Sequence, residues 1–223
     1  MALFLYINFS TLEIEDITMT EKISGEQYFT AQPDAAHDYQ DFDFELLGNQ
    51  IHFTTDAGVF SKRTVDFGTR TMLDVAAGLD FPTGKILDLG TGYGPVGIAM
   101  AKALNKNVDM VDVNERALEL ARKNADRNGV GSQVNVFQSN IYDQINDQYA
   151  MILVNPPIRA GKTVVTQMLQ EAQQHLVPGG KLIAVLQKKQ GAPSAQKNLE
   201  AVFPTVQVAG KKKGYYVLEA ING

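Results

Sequence analysis

Three polar side chains stand where apolar runs give way to flexible sequence. Asp88 closes Lys85-Ile86-Leu87 and leads through Leu89 into Gly90-Thr91-Gly92-Tyr93-Gly94. Asp112 closes Val108-Asp109-Met110-Val111. Asn155 follows Met151-Ile152-Leu153-Val154 and precedes Pro156-Pro157-Ile158. Glycine at 92, 94 and 97 permits a tight turn, close approach of a ligand to backbone N–H groups, and close helix–strand packing. That spacing alone is a weak sign of a nucleotide. Asp88 sharpens it, because a carboxylate at this point suits a cationic amino-acid head and suits a pyrophosphate poorly. Asp112 can accept hydrogen bonds from ribose hydroxyls. The ligand these residues describe is an adenosine carrying a cationic amino-acid tail, S-adenosylmethionine, in preference to a nicotinamide nucleotide.

The second motif implies a different partner. Two consecutive prolines continue neither a ladder nor a helix interior, so they set a rigid loop. In that loop the Pro156 carbonyl and the Asn155 side-chain oxygen stand side by side, two acceptors matched to the two hydrogens of a planar amino group. Such a nitrogen is a poor nucleophile because its lone pair is delocalised. Two fixed acceptors favour a pyramidal nitrogen whose lone pair can point at an electrophilic methyl. Proximity and preorganised dipoles then supply most of the acceleration. No strong base is needed beforehand, since the nitrogen becomes acidic once methylated.

These residues need strand ends to position them. The pattern predicts strands over 85–89, 108–112, 133–137, 149–154 and 181–187, helices over 95–104, 114–128, 162–176 and 193–203, and a terminal strand pair over 206–209 and 214–220. Pro178-Gly179-Gly180 reads as a turn before strand 181–187. Asn114 is a good helix N-cap and Gly129 a good stop. Upstream, Phe42–Leu47 and Gln50–Thr54 flank Gly48-Asn49 as a hairpin, and a helix begins near Asp66-Phe67-Gly68-Thr69 and ends at Gly78. Alternating strand and helix implies an α/β fold with a mainly parallel sheet, which binds ligands beyond the carboxyl ends of its strands. Residues 1–19 read as an extension, 20–60 as an appendage carrying the hairpin, and 61–223 as the catalytic domain.

The chain has 223 residues, 44% hydrophobic, with no cysteine and a formal net charge of −5. It can therefore bury a full core, and thiolate zinc sites, disulfides and cysteine nucleophiles are excluded. The absence of cysteine fits a reducing, cytoplasmic setting. The acidic balance argues against a protein that coats nucleic acid non-specifically, yet allows a local basic rim. Candidates for that rim are Lys62-Arg63, Arg159 with Lys162, Lys188-Lys189 and Lys211-Lys212-Lys213. Met1–Phe9 is apolar but too short for a membrane span. His37, His52 and His175 are scattered, read as ordinary surface residues, and have no metal-ligand spacing.

Asp88-x-Gly90-x-Gly92 followed by Asp112 and Asn155-Pro156-Pro157 resembles the class I S-adenosylmethionine-dependent methyltransferases. Phe60-Ser61, Asp66-x-Gly68-Thr69, Asn155-Pro156-Pro157 with Gly161, and Gly214-Tyr215-Tyr216-Val217 are similar to the bacterial small-subunit ribosomal RNA guanine-N2 methyltransferases. The resemblance spans about residues 40–223. It implies a Rossmann-like methyltransferase sheet, mainly parallel with an antiparallel C-terminal strand, and a short N-terminal β-hairpin appendage. It implies that Asn155, Pro156 and Pro157 carry the catalysis. Phe60, Ser61, Thr69, Asp88, Gly90, Thr91, Gly92, Asp112, Val113, Asn140, Ile141 and Asn155 would bind S-adenosylmethionine, with Val113 packing on adenine and Asn140 accepting from its amino group. The implied substrate is a guanine of 16S ribosomal RNA, as naked RNA or in the small subunit, with no membrane and no metal. Ile158 stands where many relatives place an aromatic residue, which leaves stacking on the base open to Tyr93, Phe60 or Tyr142, each of which reads first as core or cofactor-pocket packing. Arg159 and Lys162 flank the loop and can meet phosphates.

Three other readings compete. A protein glutamine-N5 methyltransferase uses the same Asn-Pro-Pro logic on an equally planar amide. A nicotinamide-dependent oxidoreductase needs a tyrosine–lysine or histidine arrangement that the sequence does not offer. A non-catalytic ribosome-binding module has no need of Asp88, Asp112 and Asn155 together.

Overall fold

The computed structural model describes residues 36–59 and 64–223. Phe60, Ser61, Lys62, Arg63 and the expected extension at 1–19 lie outside the described residues. A hairpin of β1 (Gln40–Leu46) and β2 (Asn49–Thr55) precedes helix α1 (Phe67–Ala76). There follow β3 (Ile86–Leu89), α2 (Pro95–Leu104), β4 (Val108–Asp112), α3 (Glu115–Arg127), β5 (Val134–Gln138), β6 (Tyr149–Val154), α4 (Lys162–Gln170), β7 (Leu176–Gln187), α5 (Ala192–Glu200), β8 (Thr205–Lys212) and β9 (Tyr215–Ile221).

Seven strands form one sheet in the order β5-β4-β3-β6-β7-β9-β8. The first five run parallel, and β9 lies antiparallel between β7 and β8. The chain travels outward from β3 to β5, then returns to lay β6 on the other side of β3. The order of the strands thus reverses between β3 and β6, the place where open α/β sheets hold their ligands.

Both faces of the sheet are covered, and the strands are correspondingly apolar. Ile86, Val108, Met110, Met151 and Leu153 pack with the buried sides of α1, α2, α3 and the hairpin. Leu87, Leu89, Val111, Ile152 and Val154 pack on the opposite face with α4 and α5. Successive strand side chains alternate between faces. Asp88, Asp112 and Asn155 therefore continue the rows 86/88, 108/110/112 and 151/153/155, and all three emerge on the α1–α3 face. Leu89 pairs with Val154, so the ends of β3 and β6 are level.

The structure moves several boundaries. The hairpin turns at Leu47-Gly48, with φ of 51° and 73°, and Leu46 faces Asn49. A two-residue turn between twisted strands needs positive φ at both positions, so the strand pairing imposes it on Leu47 as well as on glycine. Strand β7 begins at Leu176 and runs through Pro178-Gly179-Gly180, whose extra residues appear as a shift in register against β6 between Tyr149 and Met151. Helix α4 ends at Gln170 and tightens into a 3-10 turn over Glu171–His175.

The hairpin is bound to the sheet domain by side chains of α3. Asn124, fully buried, accepts from the Thr54 N–H at 2.8 Å and donates to the carbonyls of Thr54 and Tyr93. One turn later, Asn128 accepts from the His52 N–H and donates to its carbonyl. The two amides act as a surrogate strand along the edge of β2. Replacing Asn124 with alanine would strand three buried backbone groups, each costing about 1–3 kcal/mol. We expect Asn124→Ala to lower unfolding free energy by at least about 2 kcal/mol in urea titration; a loss below about 1 kcal/mol would show that the hairpin is held otherwise.

Candidate active site

At the end of β3 the chain bends through Gly90 (φ 79°) and Gly92 (φ 57°), a left-handed path that side chains with a Cβ adopt only under strain. The N–H groups of Gly90 and Thr91 both donate to the Val111 carbonyl at 2.9 Å. That of Gly92 donates to Asp112 Oδ2 at 2.9 Å, and that of Gly97, in the first turn of α2, to Asp88 Oδ2 at 2.8 Å. Thr91 Oγ1 also donates to Asp88 Oδ2, at 2.6 Å.

This arrangement corrects the expectation that the turn offers N–H groups to a ligand. At Gly90, Thr91, Gly92 and Gly97 they are all engaged internally, and Thr91, which the resemblance implies as a cofactor contact, directs both its N–H and its hydroxyl to the protein. A free helix N-terminus attracts phosphate; here the carboxylate of Asp88 already occupies that position. The site therefore opposes a pyrophosphate and presents acceptors to a cation.

The turn borders room for such a ligand. A Cβ at Gly92 would meet nothing within 4 Å, and one at Gly90 would touch only the Met168 Cε at 3.8 Å. Asp112 accepts from the N–H groups of Gly92 and Asn114, which leaves further lone pairs on both oxygens for hydroxyl donors. Burial pushes the Asp112 carboxyl above its ordinary value against those N–H bonds. Burial also pushes Asp88 up to about 7, opposed by Thr91 and Gly97 and aided by the charge of Asp112. The site thus fits a ligand with hydroxyls at Asp112 and a positive charge near Asp88.

At the end of β6, Asn155 turns toward α1. Its Nδ2 donates to Thr69 Oγ1 at 3.0 Å and to Asp66 Oδ2 at 3.3 Å. Asp66 is the N-cap of α1 and also accepts from the Thr69 N–H at 3.1 Å. A carboxylate can only accept, so Asp66 settles which end of the amide carries nitrogen and leaves Oδ1 as the accepting end. The Pro157 carbonyl accepts from the Ala160 N–H; among the described residues nothing donates to the Pro156 carbonyl. Thr69, expected among cofactor contacts, is buried and positions Asn155. Asp66 is missing from the sequence-derived site, although its three-residue spacing from Thr69 is a capping signature.

The remaining expected residues follow the ends of β4 and β5. Asn140 is exposed and donates to Asp143, beside Ile141 at φ 53°. Val113 is half-buried at the tip of β4. Tyr93 and Tyr142 take the packing role that the sequence favours for them over stacking. Tyr93 is buried against Phe42 and Phe53 of the hairpin. Tyr142 is buried, donates to the Met168 carbonyl and stacks on His175 at 4.5 Å. His175 is accordingly packed, not an ordinary surface residue, and burial lowers its pKa. No helix among the described residues is long and apolar enough to cross a membrane.

A family model described as Methyltransferase small domain matches residues 50–219. The uncharacterized protein YbxB of Bacillus subtilis is 43% identical over 88% of this chain and 98% of its own length. Ribosomal RNA small subunit methyltransferase C of Vibrio vulnificus is 33% identical over 66% of this chain and 43% of its own length. Among solved structures, a T. thermophilus 16S rRNA N2 methyltransferase in complex with AdoMet and guanosine superposes with a TM-score of 0.75 at 23% identity, covering 86% of this chain and 52% of that one. The chain thus spans about half the length of these named methyltransferases.

The raised Asp88 has a signed consequence. Its unfolded carboxyl titrates near 3.9 and its folded one at about 7, so the folded state holds the extra proton and stability falls as pH rises through that window. Asp88→Asn, a stand-in for the neutral acid, removes the dependence. Urea unfolding should show the variant gaining about 3 kcal/mol on wild type between pH 5 and 8; a constant difference would contradict the burial of an ionisable Asp88.

Proposed function

The chain belongs to the Methyltransferase small domain family, and from that membership we propose that it transfers a methyl group from S-adenosylmethionine to the exocyclic amino group of a guanine in small-subunit ribosomal RNA. When bound, S-adenosylmethionine supplies an electrophilic methyl on a positively charged sulfur. Asp112 receives the ribose hydroxyls at the tip of β4, and Asp88 lends negative charge to the amino-acid end at the tip of β3. Val113 packs beside the adenine.

The observation that carries this reading is the direction of the Asn155 amide. Asp66 and Thr69 hold its nitrogen, so its oxygen is the end left to accept, and the Pro156 carbonyl that follows in the chain is the second acceptor of the reading. Two adjacent acceptors receive the two N–H bonds of an amino group and disfavour its planar, conjugated form. Transfer would use the nitrogen lone pair, with the sulfur as leaving group, and the substituted nitrogen would release its proton to water. No basic side chain is assigned to this step. The protein contributes orientation and fixed dipoles, the two terms that dominate such transfers.

The relatives support the substrate class of this reading. The Vibrio vulnificus relative is a ribosomal RNA small subunit methyltransferase, and the T. thermophilus enzyme was captured with guanosine. A guanine amino group has the planar geometry and the two hydrogens that the Asn155–Pro156 pair would take.

Labelled S-adenosylmethionine with small ribosomal subunits from a strain lacking the gene should place label on the guanine amino nitrogen. Asn155→Ala should lower kcat at least about 100-fold, in line with loss of one preorganised polar contact to the reacting group, while cofactor affinity by calorimetry changes little. Label on a protein glutamine would replace the RNA reading with an amide substrate.

A further inference from the structure

The strands β7, β9 and β8 bring together basic segments that are far apart in sequence. Gln187, Tyr215 and Lys212 form one row across the three strands, and the Lys188 N–H donates to the Gly214 carbonyl at 2.8 Å. Lys188, Lys189, Lys211, Lys212 and Lys213 are all exposed along this rim. The lysine ion pairs among the described residues belong to Lys85 and Lys181, elsewhere in the fold. In a chain of net charge −5, five such lysines on one rim are a pronounced local asymmetry.

This rim adjoins the Asn155 site through α1. A Cβ on Gly68 would lie 2.7 Å from Tyr215 Cε1 and 2.9 Å from Asp66 Oδ2, so the β9 end packs directly on the helix start that orients Asn155. Tyr215 packs on Phe67 at 5.6 Å. The ammonium groups of Lys212 and Lys213 stand 5.9 and 5.2 Å from the Phe67 ring centre.

Between α1 and the hairpin lies a cavity of about 200 Å3 lined by Phe44, Phe67, Arg70 and Lys212, with Glu45 and Asp74 also on its wall. The Arg70 guanidinium lies over both phenyl rings, 5.3 and 5.2 Å from their centres. Its Nε is buried without a hydrogen-bond partner. A buried N–H donor left without an acceptor is costly, and the guanidinium that carries it lines the cavity, where its charge suits an anionic oxygen. Aromatic rings interleaved with cations are what single-stranded nucleic acid uses for grip.

We propose that the Arg70–Lys212 cleft and the lysine rim beside it form a phosphate-binding subsite for the RNA strand that flanks the base held at Asn155. The inference rests on the reading of RNA as substrate and adds where its backbone is gripped. The rim supplies strength without sequence information, while the Asn155–Pro156 pair supplies selection.

The test is fluorescence anisotropy of the full chain with a fluorescein-labelled, mixed-sequence single-stranded RNA, repeated across salt concentrations. Lys211→Ala/Lys212→Ala/Lys213→Ala alters only exposed side chains around a turn. It should weaken binding roughly tenfold and flatten the slope of log affinity against log salt by about 2, from about 0.7 for each phosphate contact. Arg70→Gln should weaken binding too, and calorimetry with S-adenosylmethionine should find cofactor affinity intact in both variants. Equal RNA affinity and slope in wild type and triple variant would overturn the subsite and leave the RNA reading standing. A wild type that ignores RNA but binds poly-glutamate would overturn both, in favour of an acidic protein partner.

Discussion

Among the described residues the Asn155 amide is held from one side only, by the Asp66 carboxylate and the Thr69 hydroxyl, and the proposed chemistry depends on that constraint. An amide oxygen and nitrogen are interchangeable in shape, so an unsupported asparagine offers an incoming amine an acceptor or a donor. Asp66 removes the choice because it accepts and never donates. The same carboxylate caps α1, which couples the direction of the amide to formation of the helix. Gly68 lets Tyr215 come close enough to pack that helix start against β9. One capping residue thus links the local stop–start signals of the chain to the presentation of a single oxygen.

The opposite half of the site is organised by another internal carboxylate. Asp88 accepts from Gly97 and Thr91 and so serves as the anion at the start of α2. A glycine-rich strand-to-helix turn is ordinarily suited to phosphate because its N–H groups point outward. In this chain the N–H groups of Gly90, Thr91, Gly92 and Gly97 are turned to the protein, and half-buried Asp112 keeps lone pairs for hydroxyl donors. The ligand preference therefore shifts from a pyrophosphate to a cation without any change in the fold.

Much of this was legible in the sequence, for a definable reason. The strands carrying Asp88, Asp112 and Asn155 are buried on both faces, so their apolar runs and boundary residues stand out. Period-two alternation then places all three on one face. Hydrogen bonds that depend on tertiary approach were not legible. Nothing near Thr91 says that its hydroxyl turns inward, and nothing near Tyr93 says that the hairpin residues Phe42 and Phe53 are what it packs against. The grip of Asn124 and Asn128 on β2 was open to inference from two amides one turn apart, but only a known partner gives that pair meaning. The continuation of β7 through Pro178-Gly179-Gly180 was hidden because the local signals say turn, while pairing with β6 draws the segment into the strand with a shift in register.

The central claim is that a fixed amide oxygen and a proline carbonyl receive the two hydrogens of the reacting amine. The most direct measurement is a crystal structure of the chain with S-adenosylhomocysteine and guanosine. The account requires the guanine amino nitrogen within hydrogen-bond distance of Asn155 Oδ1 and the Pro156 carbonyl, with Nδ2 still on Asp66 and Thr69. An amide rotated away from those two anchors, or an amino group bound elsewhere, would contradict it.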